Sequence, residues 1–194
     1  MAFIATVDAP DATGDTADMY AAAIAANGYL PNMTQLFGHR PEVMRAWAAL
    51  VGSIRANMPL RRYELVTLAA ARELTSSYCM LAHGRAAMRE GISEAALRSI
   101  AAREASDELT DAEQAVITLA ARVVRDATGV TQADVDAVRA HGLADAEVFD
   151  VVAAAAVRCF FSKTLDALGA APDADYNTYP ADVRDALTVG RPIE

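Results

Sequence analysis

Cys79 and His83 lie four residues apart, a spacing that puts both side chains on one face of an α-helix. The polar run Thr75, Ser76 and Ser77 just before them is typical of a helix start. Such a start places Cys79 in the first turn, where unpaired N–H groups and the positive dipole end favour a thiolate. The pair therefore predicts a reactive thiol with an imidazole nearby that can relay its proton.

Glu64 is the third member of this candidate site, because it precedes Ser76 by twelve residues. Two antiparallel helices joined by a tight turn could bring its carboxylate beside His83 to orient the imidazole, a contact that the sequence permits but does not show. Each residue also has a plainer interpretation. Cys79 can be a small buried hydrophobe, His83 an ordinary core or surface imidazole, and Glu64 a surface charge paired with Arg61.

The composition excludes several classes of function. No further Cys or His lies near the site, so we expect no metal, and no motif indicates an organic cofactor. The net charge of −9 argues against nucleic-acid binding. The first residues do not have the basic segment and long apolar core of a secretory signal, and no window approaches the roughly eighteen apolar residues of a membrane span. Without an export signal, we expect Cys79 and Cys159, which lie 80 residues apart, to be free thiols in a cytoplasmic protein with no membrane partner.

The elements that must position the site are helices. The chain of 194 residues is 54% hydrophobic, only 6% aromatic and rich in alanine, which predicts an all-α protein. We expect Ser93, Thr110, Thr131 and Asp145 to cap helices, and the Pro- and Asp-rich tail from Gly169 to lie on the surface. Helices are predicted at about 13–27, 33–37, 42–55, 61–74, 76–90, 93–103, 110–125, 131–142 and from 145 past 165.

A short segment recurs at an offset of 51 residues, since Val66–Arg72 resembles Ile117–Arg122. Alanine-rich helices match one another easily, so this is weak evidence for two degenerate helical repeats. The second copy would lack the chemistry. Its residues at the positions of Glu64, Cys79 and His83 are Ala115, Val130 and Asp134.

The motif and its flanks resemble the carboxymuconolactone decarboxylase superfamily, in particular its alkyl hydroperoxidase D-like, peroxidase-related branch. That branch has a glutamate, a CxxC pair beginning twelve residues later, and a histidine four residues after the second cysteine. Glu64, Cys79 and His83 match these positions. The resemblance covers about residues 28–173. It extends to Tyr78 and to the segments LPN at 30–32, RPE at 40–42 and LGAAPD at 168–173.

The resemblance implies one alkyl hydroperoxidase D-like helical domain over residues 1–194, with a core at about 28–173 and a tail at 174–194. It implies a trimer or hexamer, and an antioxidant reaction in which Cys79 attacks a hydroperoxide, His83 relays the proton and Glu64 orients His83. Ser76 stands where the family has the first cysteine and remains only a polar neighbour. Without a local disulfide, an oxidised Cys79 needs an external thiol or a reductant protein.

Two other functions stay open at this stage. One is a non-redox enzyme like the decarboxylases that name the superfamily, with Arg61, Arg62 or Arg72 forming a basic pocket for an acidic substrate. The other is a catalytically degenerate helical assembly protein, which the loss of one cysteine favours. Trp47 is interpreted as core or subunit-interface filling.

Overall fold

The structure is a computed structural model that describes residues 2–194. In this range the chain forms ten α-helices and three short 3-10 turns, with no β-strand, so the predicted all-α class is confirmed. The α-helices are Gly14–Asn27 (α1), Asn32–Phe37 (α2), Pro41–Arg55 (α3), Leu60–Glu73 (α4), Ser77–Arg89 (α5), Glu94–Ala102 (α6), Asp111–Arg125 (α7), Gln132–Arg139 (α8), Asp145–Ala167 (α9) and Ala181–Leu187 (α10).

Local capping chemistry sets the starts of four of the ten α-helices, namely α6, α7, α8 and α9. The Ser93 hydroxyl accepts the N–H of Ala96, and Thr110 forms a reciprocal capping box with Glu113. The predicted cap at Asp145 is wrong, because Asp145 is the first residue of α9 itself. The Glu147 carboxylate instead accepts the N–H of Ala144, the residue before α9, at 2.9 Å.

The helix α4 lies at the centre of the fold and packs against α5, α7 and α9. Its buried face includes Val66, Ala69 and Ala70, and these small side chains let the neighbouring helices approach closely. A second apolar cluster joins α5 and α6 to the C-terminal residues. Between residues 2 and 194, no helix has both the length and the apolar character that a membrane span requires.

The expectation that the chain after Gly169 lies on the surface is wrong. The helix α10 packs against α5 and α6, and its Val183 and Leu187 side chains are fully buried. Tyr179, just before α10, donates its hydroxyl to the carbonyl of Leu81 at 2.7 Å. The four-residue spacing of Val183 and Leu187 gives α10 one apolar side, and that short stripe outweighs the polar composition around it.

This docking predicts opposite stability effects at two helical glycines. A Cβ at Gly84 of α5 would lie 2.7 Å from Leu187 Cδ1 and 3.1 Å from the Tyr179 hydroxyl, whereas one at Gly52 of α3 meets nothing within 4 Å. We expect Gly84→Ala to overpack the α5–α10 contact at a cost of about 1–3 kcal/mol. Gly52→Ala should stabilise by roughly 0.5–1 kcal/mol. Urea unfolding of both variants measures the difference, and equal stabilities would contradict the docking of α10.

Candidate active site

The helices α4 and α5 run antiparallel and bring Glu64 beside His83. The turn between them includes Thr75, whose φ of 52° lies in the left-handed region. Across the two helices the Glu64 Oε2 and His83 Nδ1 atoms are 2.6 Å apart. Both side chains are largely buried, so little water competes for this hydrogen bond. Glu64 does not pair with Arg61, because Arg61 donates to Glu113 on α7 at 2.5 Å.

The His83 imidazole is held in its neutral form. Burial lowers its pKa from the ordinary 6.5, the Arg158 guanidinium lowers it further, and Glu64 opposes both effects. Because a carboxylate only accepts hydrogen bonds, the Nδ1 atom of His83 carries the hydrogen that Glu64 accepts. The Nε2 atom is then left with a lone pair, as a general base requires.

Cys79 lies in the first turn of α5, where only 1% of its surface is exposed. Two donors from α9 point at its sulfur. Ser162 donates its hydroxyl to Sγ at 3.1 Å, and Arg158 places Nη1 at 3.9 Å. Sulfur is the acceptor in both contacts, an arrangement that suits a thiolate better than a thiol. Cys159, also on α9, is half-buried with its sulfur 3.7 Å from the Ala155 carbonyl, and both cysteines are unpaired.

Ser76 is the residue that precedes α5, as its position in the motif predicts, but its hydroxyl is fully buried. Between residues 2 and 194 it has no hydrogen-bond partner. The Asp166 carboxyl lies near this hydroxyl. Burial raises the pKa of Asp166, and the Ser76 hydroxyl acts against that rise. Ser76 therefore contributes a buried dipole at this helix end, without a thiol's redox chemistry.

Arg158 is the residue that joins the parts of the site. Only 2% of its surface is exposed. Its guanidinium carbon lies 5.6 Å from the ring centroids of both Trp47 and Phe161. Its Nη2 atom donates a hydrogen bond to the Tyr63 hydroxyl at 3.1 Å. Among residues 2–194 it makes no salt bridge to a carboxylate, and its Nε atom has no hydrogen-bond partner. A buried cation without a counter-charge is costly. Its contact with Cys79 therefore matters, because a thiolate there would supply the missing negative charge.

An open cavity of about 410 Å³ lies over this cluster. Glu64 and His83 line it, together with Tyr63 and Arg158, whereas Cys79 and Ser76 do not. Trp47 contributes to its wall while stacking on Phe161, with 4.1 Å between ring centroids, so it is more than core filling. Arg158 lines the cavity and also contacts Cys79, and it thus links the open space to the buried sulfur.

The basic residues of this cavity differ from those that the sequence suggested. Arg61 and Arg62 pair with carboxylates of α7 and α9, and Arg72 lies elsewhere. Arg55 of α3 and Arg158 of α9 are the arginines on the cavity wall. One signal could have found Arg158, since it interrupts the apolar stretch of a 23-residue helix. The described part of the chain contains no cluster of three or more metal-ligating side chains.

The two charged neighbours of His83 predict pKa shifts of opposite sign. Arg158→Gln should raise the pKa of His83 because it removes a repulsive charge, whereas Glu64→Gln should lower it because it removes an attractive one. The unfolded chain binds this proton more tightly than the folded chain, so stability should fall as the pH drops below 6.5. An NMR titration of the imidazole measures both shifts, and shifts of the same sign would contradict the arrangement.

Comparison with known proteins supports the resemblance inferred from the motif. Residues 41–122 match the model of the carboxymuconolactone decarboxylase family. That range includes Glu64, Ser76, Cys79 and His83 but ends before Arg158. No curated protein matches the chain.

Several solved structures share the fold. An alkylhydroperoxidase AhpD core, an uncharacterized peroxidase-related protein from Ralstonia eutropha JMP134, superposes with a TM-score of 0.81 at 19% identity, covering 90% of this chain and 94% of that one. A peroxidase-related protein from Silicibacter sp. TM1040 gives 0.77 at 19% identity over 89% and 94%. A cysteine-to-alanine variant of the debrominase Bmp8, in complex with 2,3,4-tribromopyrrole, gives 0.70 at 17% identity over 94% of both chains. These likenesses confirm the alkyl hydroperoxidase D-like fold.

Proposed function

We propose, from the match to the carboxymuconolactone decarboxylase family and from the alkyl hydroperoxidase D-like fold, that this protein is a thiol-dependent hydroperoxide reductase that uses Cys79 alone. The carrying observation is the buried Arg158 guanidinium, which contacts the Cys79 sulfur and no carboxylate in the described residues. A guanidinium in that position stabilises the thiolate, which is the nucleophilic form of cysteine. The Ser162 hydroxyl supplies a second donor to the same sulfur.

The proposed reaction combines these contacts of the sulfur with the Glu64–His83 pair. His83, neutral and oriented by Glu64, takes the thiol proton. The Cys79 thiolate attacks the terminal peroxide oxygen, the O–O bond breaks, and the departing alkoxide receives the proton from His83 as an alcohol. Cys79 becomes a sulfenic acid as the peroxide is reduced. One external thiol condenses with the sulfenic acid to give a mixed disulfide and water. A second thiol then releases Cys79 and leaves as the oxidised disulfide.

The external reductant is needed because Ser76 carries a hydroxyl where the related enzymes have a second thiol. A reductant protein or a small thiol fills this role in the proposal. In this proposal the peroxide enters the cavity beside His83, and Arg158, which lines that cavity and contacts the Cys79 sulfur, lies at its inner end. The cavity therefore holds the organic part of the hydroperoxide, while Arg158 keeps its contact with the sulfur.

We also propose a homo-oligomer, a trimer or hexamer, located in the cytoplasm. Exposed apolar side chains on neighbouring helices support self-association, namely Val43 and Leu50 on α3 and Phe149 and Phe160 on α9. Patches of this kind on a folded surface are typical of protein interfaces.

A second candidate function is supported by the cavity itself. Its wall carries the Glu64–His83 pair and two arginines, Arg55 and Arg158, but not the thiol. An organic acid anchored by the arginines could undergo proton transfer at His83 without any redox step, as in a decarboxylase.

Two assays on the purified protein separate these functions. The first measures loss of cumene hydroperoxide with dithiothreitol, and the second measures carbon dioxide released from carboxymuconolactone. Peroxide loss that requires both protein and dithiothreitol is the expected result. Carbon dioxide release without peroxide consumption would overturn the proposal in favour of the second candidate.

A further inference from the structure

We infer that the groove between α4, α6 and α7 binds an organic monocarboxylate with an apolar body, and that Arg72 is the residue that holds the carboxylate. This groove is an open cavity of about 580 Å³, and none of its lining residues belongs to the cavity beside His83. Its volume is in the range that small-molecule sites occupy. The inference does not depend on the proposed peroxide chemistry.

Four arginines line this groove in a chain whose net charge is −9. Three of them already have partners within the protein. Arg103 and Arg125 share the buried carboxylate of Glu73, at 3.1 and 3.0 Å. Arg122 donates to the Gly129 carbonyl at 2.6 Å and lies near a carboxylate of α8.

Arg103 is held in the groove by its backbone as well as by Glu73. It ends α6 with a φ of 63°, in the left-handed conformation that glycine usually adopts at this position. An arginine there has an unfavourable backbone conformation, and its guanidinium is directed to Glu73 at the groove wall. The positive charge beside Arg72 is therefore fixed by the fold.

Arg72 is the arginine of the groove that lacks an acidic partner. Its Nε atom donates to the Ala101 carbonyl, and in the described residues no carboxylate forms a salt bridge with it. Its two terminal nitrogens make no hydrogen bond to those residues, which leaves the planar pair of donors that a carboxylate accepts in a two-bond contact. Burial lowers the pKa of Arg72, Arg103 lowers it further, and Glu73 acts in the opposite direction, so a bound anion would offset the repulsion from Arg103.

The rest of the groove defines the class of anion. Its apolar surface is formed by Ala69, Ile100, Ile117 and Ala121, which suits an aliphatic or aromatic body. Its other carboxylates are Glu73, Glu104 and Asp126. Glu73 is paired with arginines, and Asp126 accepts hydrogen bonds from Thr128 and Gly129 within its own turn, whereas Glu104 is exposed. These negative groups disfavour phosphate and dicarboxylates, and they leave a single carboxylate with an apolar tail as the ligand that fits.

Isothermal titration of the full chain with sodium octanoate tests the site, with octan-1-ol and inorganic phosphate as control ligands. We expect saturable binding of octanoate, one molecule per chain, and weaker or no binding of both controls. Arg72→Gln should weaken octanoate binding by about tenfold or more, since a charged two-bond contact is lost. Arg72→Lys keeps the charge and should lose less. Arg45→Gln, which removes an exposed arginine that pairs with Asp15 and does not line the groove, should bind as the wild type does.

Three results would overturn the inference. They are equal octanoate affinity in Arg72→Gln and wild type, equal affinity for octan-1-ol and octanoate, and the absence of binding heat from octanoate. Arg55→Gln locates the ligand, because a loss of affinity in that variant alone would place the carboxylate in the cavity beside His83 instead. Thermal unfolding of each variant, measured in the same samples, shows that the compared proteins are folded.

Discussion

Cys79→Ser is expected to lower hydroperoxide reduction by at least about a hundredfold, because serine cannot supply the thiolate that attacks the peroxide. The substitution replaces only the sulfur atom and keeps a small polar side chain in the first turn of α5. Ser162 and Arg158 can still donate hydrogen bonds to the new hydroxyl, so the fold should be retained. The assay is the initial rate of cumene hydroperoxide loss with dithiothreitol.

Cys159→Ser is the matched control, since the Cys159 thiol faces the Ala155 carbonyl of its own helix and does not line the cavity beside His83. It should retain the wild-type rate. If instead Cys79→Ser kept the full rate and Cys159→Ser lost it, the reacting thiol would be Cys159 and the proposal for Cys79 would be wrong. Activity in both single variants would contradict thiol chemistry altogether.

Arg158→Met is expected to lower the reactivity of Cys79 by about ten- to a hundredfold, because it removes a charged donor from the sulfur. The free energy of unfolding should not fall together with this reactivity. Arg158 is a buried cation without a carboxylate partner in the described residues, and methionine fills similar space between the Trp47 and Phe161 rings without a desolvation cost. We expect the free energy of unfolding to stay equal or to rise by as much as about 3 kcal/mol.

Two measurements on Arg158→Met test this separation of reactivity from stability. Urea unfolding gives the stability, and the rate of peroxide reduction gives the reactivity of Cys79. Arg62→Met is the control, because Arg62 pairs with Glu147 and lies outside the cavity wall. A variant that is less stable than the wild type but equally reactive would show that Arg158 is a packing residue and has no effect on the thiol.

The local part of the site could be predicted from the sequence. Glu64 lies on α4, Cys79 and His83 lie on α5, and Ser76 lies in the short turn before α5. Two consecutive helices with so short a turn permit the carboxylate and the imidazole to meet. Capping residues such as Ser93 and Thr110 also act within a few residues of their own position. These features depend on short-range geometry, which the order of residues encodes directly.

The remainder of the site depends on contacts that are distant along the chain. Arg158 and Ser162 reach Cys79 from positions 79 and 83 residues later, and nothing in their neighbourhood on α9 states which helix they face. The burial of the tail also depends on a contact that is distant along the chain, because Leu187 packs over Gly84 only when α10 lies against α5. The prediction that Arg61 or Arg62 forms a basic pocket at the site was wrong for the same reason, since tertiary packing pairs each of them with a carboxylate on another helix.

The most direct test of the central claim is to follow oxygen transfer to Cys79 itself. The Cys159→Ser protein is mixed with one equivalent of cumene hydroperoxide and then with dimedone, which traps sulfenic acids, and the modified peptide is identified by mass spectrometry. The predicted result is a dimedone adduct on Cys79 that forms as the peroxide disappears and is much reduced in the Arg158→Met variant. An unmodified Cys79 after the peroxide has been consumed would contradict the account.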